Sequence, residues 1–203
     1  PRQEEPPAEP EPSRTFLGEE LNGSDFVFVL DKSGSMWSRN VSFSPVFSQA
    51  GGVISGPSRW QVIQSEVAGV LATLRNRDSF DIILFNHTYT VMARQLVQAG
   101  DGGRAQGTAY IYANRPGGGT GFYDPLASAF TNYDSQIVDT ILFMTDGFPF
   151  DGPQTLASLN GWLRGAGGVN SSFLFQAYQI GGTSLNPFMR SLSALPHTDV
   201  ILK

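Results

Sequence analysis

Two kinds of apolar pattern alternate along the chain. Residues 26–30, 80–85, 137–144, 172–178 and 199–202 are short, nearly continuous apolar runs, which predicts strands buried on both faces. Residues 89–92 follow the second run after Asn86-His87-Thr88, a spacing that suits a hairpin. Between the runs the period changes. Trp60, Ile63, Val67, Val70, Leu71 and Leu74 recur at three- and four-residue steps, with Ser58 and Gln61 placed as a capping box. Asp124-Pro125 opens a second helix, with Asp124 as its cap and Leu126, Ala129, Phe130 and Tyr133 on one face. Leu156, Leu159, Trp162 and Leu163 mark a third helix, and Leu185, Phe188, Met189, Leu192 and Leu195 a fourth. A weaker helical pattern covers residues 104–113. Strands alternating with helices imply right-handed crossovers and a mostly parallel sheet. The expected architecture is a doubly wound α/β domain of six strands, one antiparallel at the edge, with helices on both faces.

Two stretches break this rhythm. Residues 1–14 are rich in proline and glutamate and hold no large apolar side chain, so they are read as an extended tether preceding a domain over residues 15–203. The alternative is a segment with no role of its own. Residues 36–57 form a long connection, apolar for a loop through Trp37, Phe43, Val46, Phe47, Val53 and Ile54. It is either part of a partner-binding surface or a self-packed excursion such as a small hairpin.

Composition narrows the function. Of 18 acidic and 13 basic residues, six and two fall in residues 1–20, which leaves 12 acids against 11 bases in the remainder. That near-neutral remainder offers no basic surplus for nucleic acid. The chain has no cysteine, which excludes disulfides, thiolate metal sites and cysteine nucleophiles. No apolar run reaches the ~20 residues of a membrane span. Lysine is confined to Lys32 and Lys203, and no GxSxG, HExxH or GxxxxGK[ST] motif occurs.

Three segments carry chemistry: Asp31-Lys32-Ser33-Gly34-Ser35, Gly117-Gly118-Gly119-Thr120-Gly121 and Thr145-Asp146-Gly147. The first and third end predicted strands and the second precedes a predicted helix. In an open parallel sheet such loops converge where ligands bind. Asp31, Ser33, Ser35, Thr120 and Asp146 offer only carboxylate and hydroxyl oxygens, the donors that hard cations such as Mg²⁺ select. Taken singly, Asp31 and Ser33 would equally serve to shape a turn. Asp124 suits a helix cap better than a ligand. Asp101 and Asp151 could rim the site but fit solvated loops, and the isolated His87 and His197 are read as structural.

Asp31-Lys32-Ser33-Gly34-Ser35 is similar to the DxSGS signature of von Willebrand factor A domains, a family that includes integrin I domains and many bacterial proteins. Thr120 matches the family's separate metal-site threonine and Asp146 its later aspartate. The matching order of motifs spans residues 25–203. The resemblance implies a complete metal-ion-dependent adhesion site on a Rossmann-like fold. Ser33, Ser35 and Thr120 would ligate Mg²⁺ (or Mn²⁺ or Ca²⁺) directly, with Asp31 and Asp146 acting mainly through water. A glutamate or aspartate of a protein partner would complete the ion. The implied function is adhesion rather than catalysis. A scaffold role in a larger assembly and metal-assisted phosphoester hydrolysis are the alternatives. Integrin-type domains continue past the last strand into a final helix, whereas here Lys203 follows that strand directly. An integrin-like pull is therefore not expected. A proline-rich stem followed by a short strand at residues 15–18 resembles bacterial membrane-anchored members, which implies an extracytoplasmic location.

Overall fold

The computed structural model describes residues 14–39, 43–100, 102–134 and 137–203. The central sheet contains strands β3 (Asp25–Asp31), β6 (Ser79–Phe85), β7 (Tyr89–Val91), β8 (Val97–Gln98), β9 (Thr140–Thr145), β10 (Leu174–Gln179) and β11 (Thr198–Leu202). The order is β11-β10-β9-β3-β6-β7, and β8 also pairs with β6. All pairings are parallel except those of β7 and β8 with β6. The antiparallel edge differs from the single strand expected. β7 lies beside Ile83, Leu84 and Phe85, and β8 beside Ser79 and Phe80, so the two share one edge of β6. Seven strands therefore fill six positions. With only two residues, β8 carries no periodicity that a sequence could display.

Alternation along β3 sorts the two faces. Phe26, Phe28 and Leu30 join a core with α1 (Arg59–Thr73) and α2 (Gly103–Ala113). Val27 and Val29 join a second core with α3 (Tyr123–Thr131), α4 (Gly152–Val169) and α5 (Pro187–Leu192). Both sides of the strand are apolar because helices cover both, which accounts for the unbroken hydrophobic run. The helix α1 begins as its sequence predicts. The Ser58 side chain accepts from Gln61 N, and the Gln61 side chain accepts from Ser58 N. The helix α5 is shorter than its pattern: Asn186 caps it, Pro187 takes the first turn and Ser193 ends it. The run at residues 137–144 also shortens. Ile137 N and Val138 N both donate to Asp134 O in a turn, so β9 starts at Thr140.

From β3 the chain winds through α1 to β6 on one side, then returns through α3 to β9 on the other. The switch point thus lies between β3 and β9, whose carboxyl ends carry Asp31 and Thr145-Asp146.

The long connection is a small excursion. A turn of 3-10 helix (Gly34–Trp37) leads to a hairpin of β4 (Val46–Phe47) and β5 (Val53–Ile54). Met36 is buried, and Phe43 and Val46 pack on the α1 core. Residues 15–20 form a separate hairpin of β1 (Thr15–Phe16) and β2 (Glu19–Glu20) rather than a strand of the main sheet. Arg14, the last residue of the stretch read as a tether, is buried and pairs with Asp78 at 2.8 Å. The rest of that stretch, like Asp101, lies outside the described residues. Among the described residues no helix is long and apolar enough to cross a membrane.

Candidate functional site

Three loops meet at the switch point, stitched by backbone hydrogen bonds. Lys32 N donates to Phe85 O at 2.6 Å, Gly117 N to Lys32 O at 2.8 Å and Gly34 N to Gly118 O at 2.9 Å. Gly118 has φ +80°, and a Cβ there would overlap the His87 ring, so glycine is required on both counts. His87 therefore serves as packing for the loop. His197 likewise packs on Gly167 of α4.

The side chains form one chain of hydrogen bonds. Asp31 is fully buried. Its Oδ1 accepts from Ser33 N at 2.6 Å, and its Oδ2 from Thr145 Oγ1 at 2.6 Å. Ser33 Oγ lies 3.0 Å from Ser35 Oγ, and Ser35 Oγ donates to Asp146 Oδ1 at 2.7 Å. Arg59, at the start of α1, donates to Asp146 Oδ2 at 2.5 Å. Thr120 sits over the neighbouring loop, its Oγ1 3.6 Å from where a Cβ on Gly147 would be. Asp31, Ser33, Ser35 and Asp146 are thus in one network, with Thr120 beside it.

Burial pushes the Asp31 carboxyl up to about 6, against the pull of hydrogen bonds from Thr145 and Ser33, and the nearby Asp146 charge adds to the rise. Burial also lowers the Lys32 ammonium, whose Nζ donates to Asn114 Oδ1 at 3.1 Å. A carboxyl so placed gains most from a nearby cation.

The donor chemistry fits a hard divalent ion. All the side-chain donors are oxygens. Two cis ligands on an octahedral ion at ~2.05 Å stand about 2.9 Å apart, close to the 3.0 Å between Ser33 Oγ and Ser35 Oγ. Among the described residues no cluster of three or more His, Cys, Asp or Glu exists, so binding here would have to use hydroxyls. Ser33, Ser35 and Thr120 could ligate, and Asp31 and Asp146 could orient ligands and balance charge.

Two acids depart from expectation. Asp124 is not the cap of α3. It lies exposed in the first turn, and the cap position is Phe122. Asp151, expected at the surface, performs that role from another loop. It accepts from Phe122 N at 3.0 Å and from Tyr123 N at 2.9 Å. Arg59 has no place in the three segments, and Thr145 lies in the third of them without being a candidate ligand, yet both bond a site carboxylate. Arg59 carried one signal: a basic residue in the first turn opposes the helix dipole, which marks it as needing a specific acid.

The fold is similar to that of von Willebrand factor type A domains of known structure. Among solved structures, a von Willebrand factor type A protein from Catenulispora acidiphila aligns over 88% of this chain at 18% identity, with a TM-score of 0.58. An aerotolerance-related membrane protein from Bacteroides fragilis aligns over 77% at 17% identity and a TM-score of 0.55. The PilB minor pilin from Streptococcus sanguinis aligns over 92% at 14% identity and a TM-score of 0.56. The alignments span 38%, 67% and 59% of those chains, respectively. No protein-family model matches the sequence, and no curated protein matches it.

Proposed function

We propose that this domain binds a protein partner through a divalent cation, Mg²⁺ in the first instance, held by Ser33, Ser35 and Thr120. A glutamate or aspartate of the partner completes the site. The observation that carries the reading is the hydrogen-bonded chain Asp31–Ser33–Ser35–Asp146 at the switch point, with its two serine oxygens 3.0 Å apart. When bound, the ion supplies a concentrated positive charge with room for one more oxygen ligand. Asp31 fixes the Ser33 backbone from its buried position. Asp146 orients the Ser35 hydroxyl while Arg59 holds its other oxygen. Neutral hydroxyls leave the ion's charge largely available to an incoming carboxylate.

Binding fits this arrangement better than catalysis. Asp31 is inaccessible, and both oxygens of Asp146 are engaged, so neither carboxylate is free to move a substrate proton. The surroundings also suit a protein. Trp37, Phe148 and Phe150 are exposed on the loops that follow Ser35 and Asp146. Trp37 Nε1 donates to Pro116 O and Phe150 N to Thr120 O, which ties both residues to the site loops. Exposed aromatics around a polar centre are characteristic of protein contacts. Trp37 thus joins the proposed partner surface. An extracytoplasmic location is part of the proposal, supported by structural likeness to a membrane protein and a pilin.

Electron paramagnetic resonance of Mn²⁺ tests the metal. Wild type should take up one ion that Mg²⁺ displaces, and Ser33→Ala with Ser35→Ala should abolish uptake. Equal uptake by the double variant would sink the assignment.

A further inference from the structure

Beside Asp146 opens a cavity of about 400 Å³, lined in part by Arg59, Phe148, Thr183, Ser184 and Arg190. Two cations and one anion, Asp146, face it, and Ser35 and Arg59 already engage both Asp146 oxygens. Arg59 is only 18% exposed, and its Nε–H is buried with no acceptor. Arg190 is exposed and donates to Leu185 O at 3.1 Å, and it has no acidic partner among the described residues. Arg59 shares Asp146 with Ser35 and is partly desolvated, and Arg190 brings a second positive charge to the cavity, so an added negative charge is favoured there. The planar fork of arginine suits a carboxylate. Phe148, 65% exposed on the same wall, adds apolar surface that a peptide can cover and a hydrated free anion cannot.

We propose that this cavity is a second acid-binding subsite, taking a further carboxylate from the same partner segment that completes the metal site. The preferred partner motif then carries two acidic side chains, one for the ion and one for Arg190 and Arg59. The inference rests on the metal-site reading for the first acid only.

The test uses fluorescent peptides with one fixed glutamate and a second residue, glutamate or glutamine, at successive spacings. Binding is measured by polarisation in millimolar Mg²⁺ and in EDTA. At one spacing or more, the two-glutamate peptide should bind wild type about tenfold more tightly than its glutamine counterpart. Arg190→Gln should lower that ratio several-fold, and Arg190→Glu should bring it to one or below. The glutamine peptide's affinity and its dependence on Mg²⁺ should not change. A ratio that persists in both variants, or no ratio at any spacing, overturns the subsite. A ratio that depends on Arg190, with a glutamine-peptide affinity that EDTA leaves unchanged, supports the subsite and rejects the metal reading.

Discussion

Replacing Asp31 with Asn should stabilise the metal-free protein at neutral pH. In the folded state the Asp31 carboxyl titrates at about 6 rather than 3.8, chiefly through burial. Below 3.8 both folded and unfolded states hold the proton, and the group costs nothing. Between 3.8 and 6 the unfolded chain releases its proton first, so stability falls as pH rises. Above 6 the penalty is constant at about 3 kcal/mol, two pKa units at ~1.4 kcal/mol each. Asn carries no charge and escapes that penalty. It can still accept from Ser33 N, but toward Thr145 Oγ1 it must donate, which turns a hydroxyl that also accepts from Gly147 N. That rearrangement costs about 1 kcal/mol. Asp31→Asn should therefore gain roughly 1–2 kcal/mol at pH 7.5, lose the advantage near pH 4, and show no stabilisation by Mg²⁺. Urea unfolding in EDTA from pH 4 to 8 measures it. A variant destabilised equally at both ends of that range would refute the reasoning, because the loss would then be geometric rather than electrostatic.

Two further substitutions probe the scaffold around the site. Gly118→Ala should cost about 2–4 kcal/mol through a left-handed backbone and overlap with His87, and His87→Ala should recover part of this in the double variant. Thermal unfolding of the two single variants and the double one checks the coupling. Asp151→Ala should cost about 1 kcal/mol by uncapping α3 while leaving Mg²⁺ affinity unchanged, readable by urea unfolding and Mn²⁺ titration.

Local signals in the sequence were reliable where one element determines them. The Ser58 and Gln61 capping box placed the start of α1, and unbroken apolar runs placed β3 and β6, because these features depend on neighbours a few residues away. Asp31, Ser33, Ser35, Thr120 and Asp146 are legible by type and by position at the ends of strands and helices, and the structure joins Asp31, Ser33, Ser35 and Asp146 in one network. What escaped depends on distant parts of the chain. Arg59 meets Asp146 across 87 residues, and Asp151 caps a helix that begins 28 residues before it. Asp124 had the local look of a cap, but Asp151 reaches the same amide groups from outside the helix. The two-residue β8 is too short to impose a period, and the equally short β4 and β5 left the hairpin in residues 36–57 as one of two alternatives rather than a placed element.

The central claim is that the folded domain holds a divalent ion at Ser33, Ser35 and Thr120. Thermal unfolding of wild type and Asp31→Ala, first in EDTA and then in millimolar Mg²⁺, addresses it most directly. An ion bound only by the folded state stabilises by mass action, about 2.7 kcal/mol at a hundred times its Kd. Wild-type Tm should rise on adding Mg²⁺, and that of Asp31→Ala should not. An unchanged wild-type Tm, or an equal rise in both proteins, would contradict the claim.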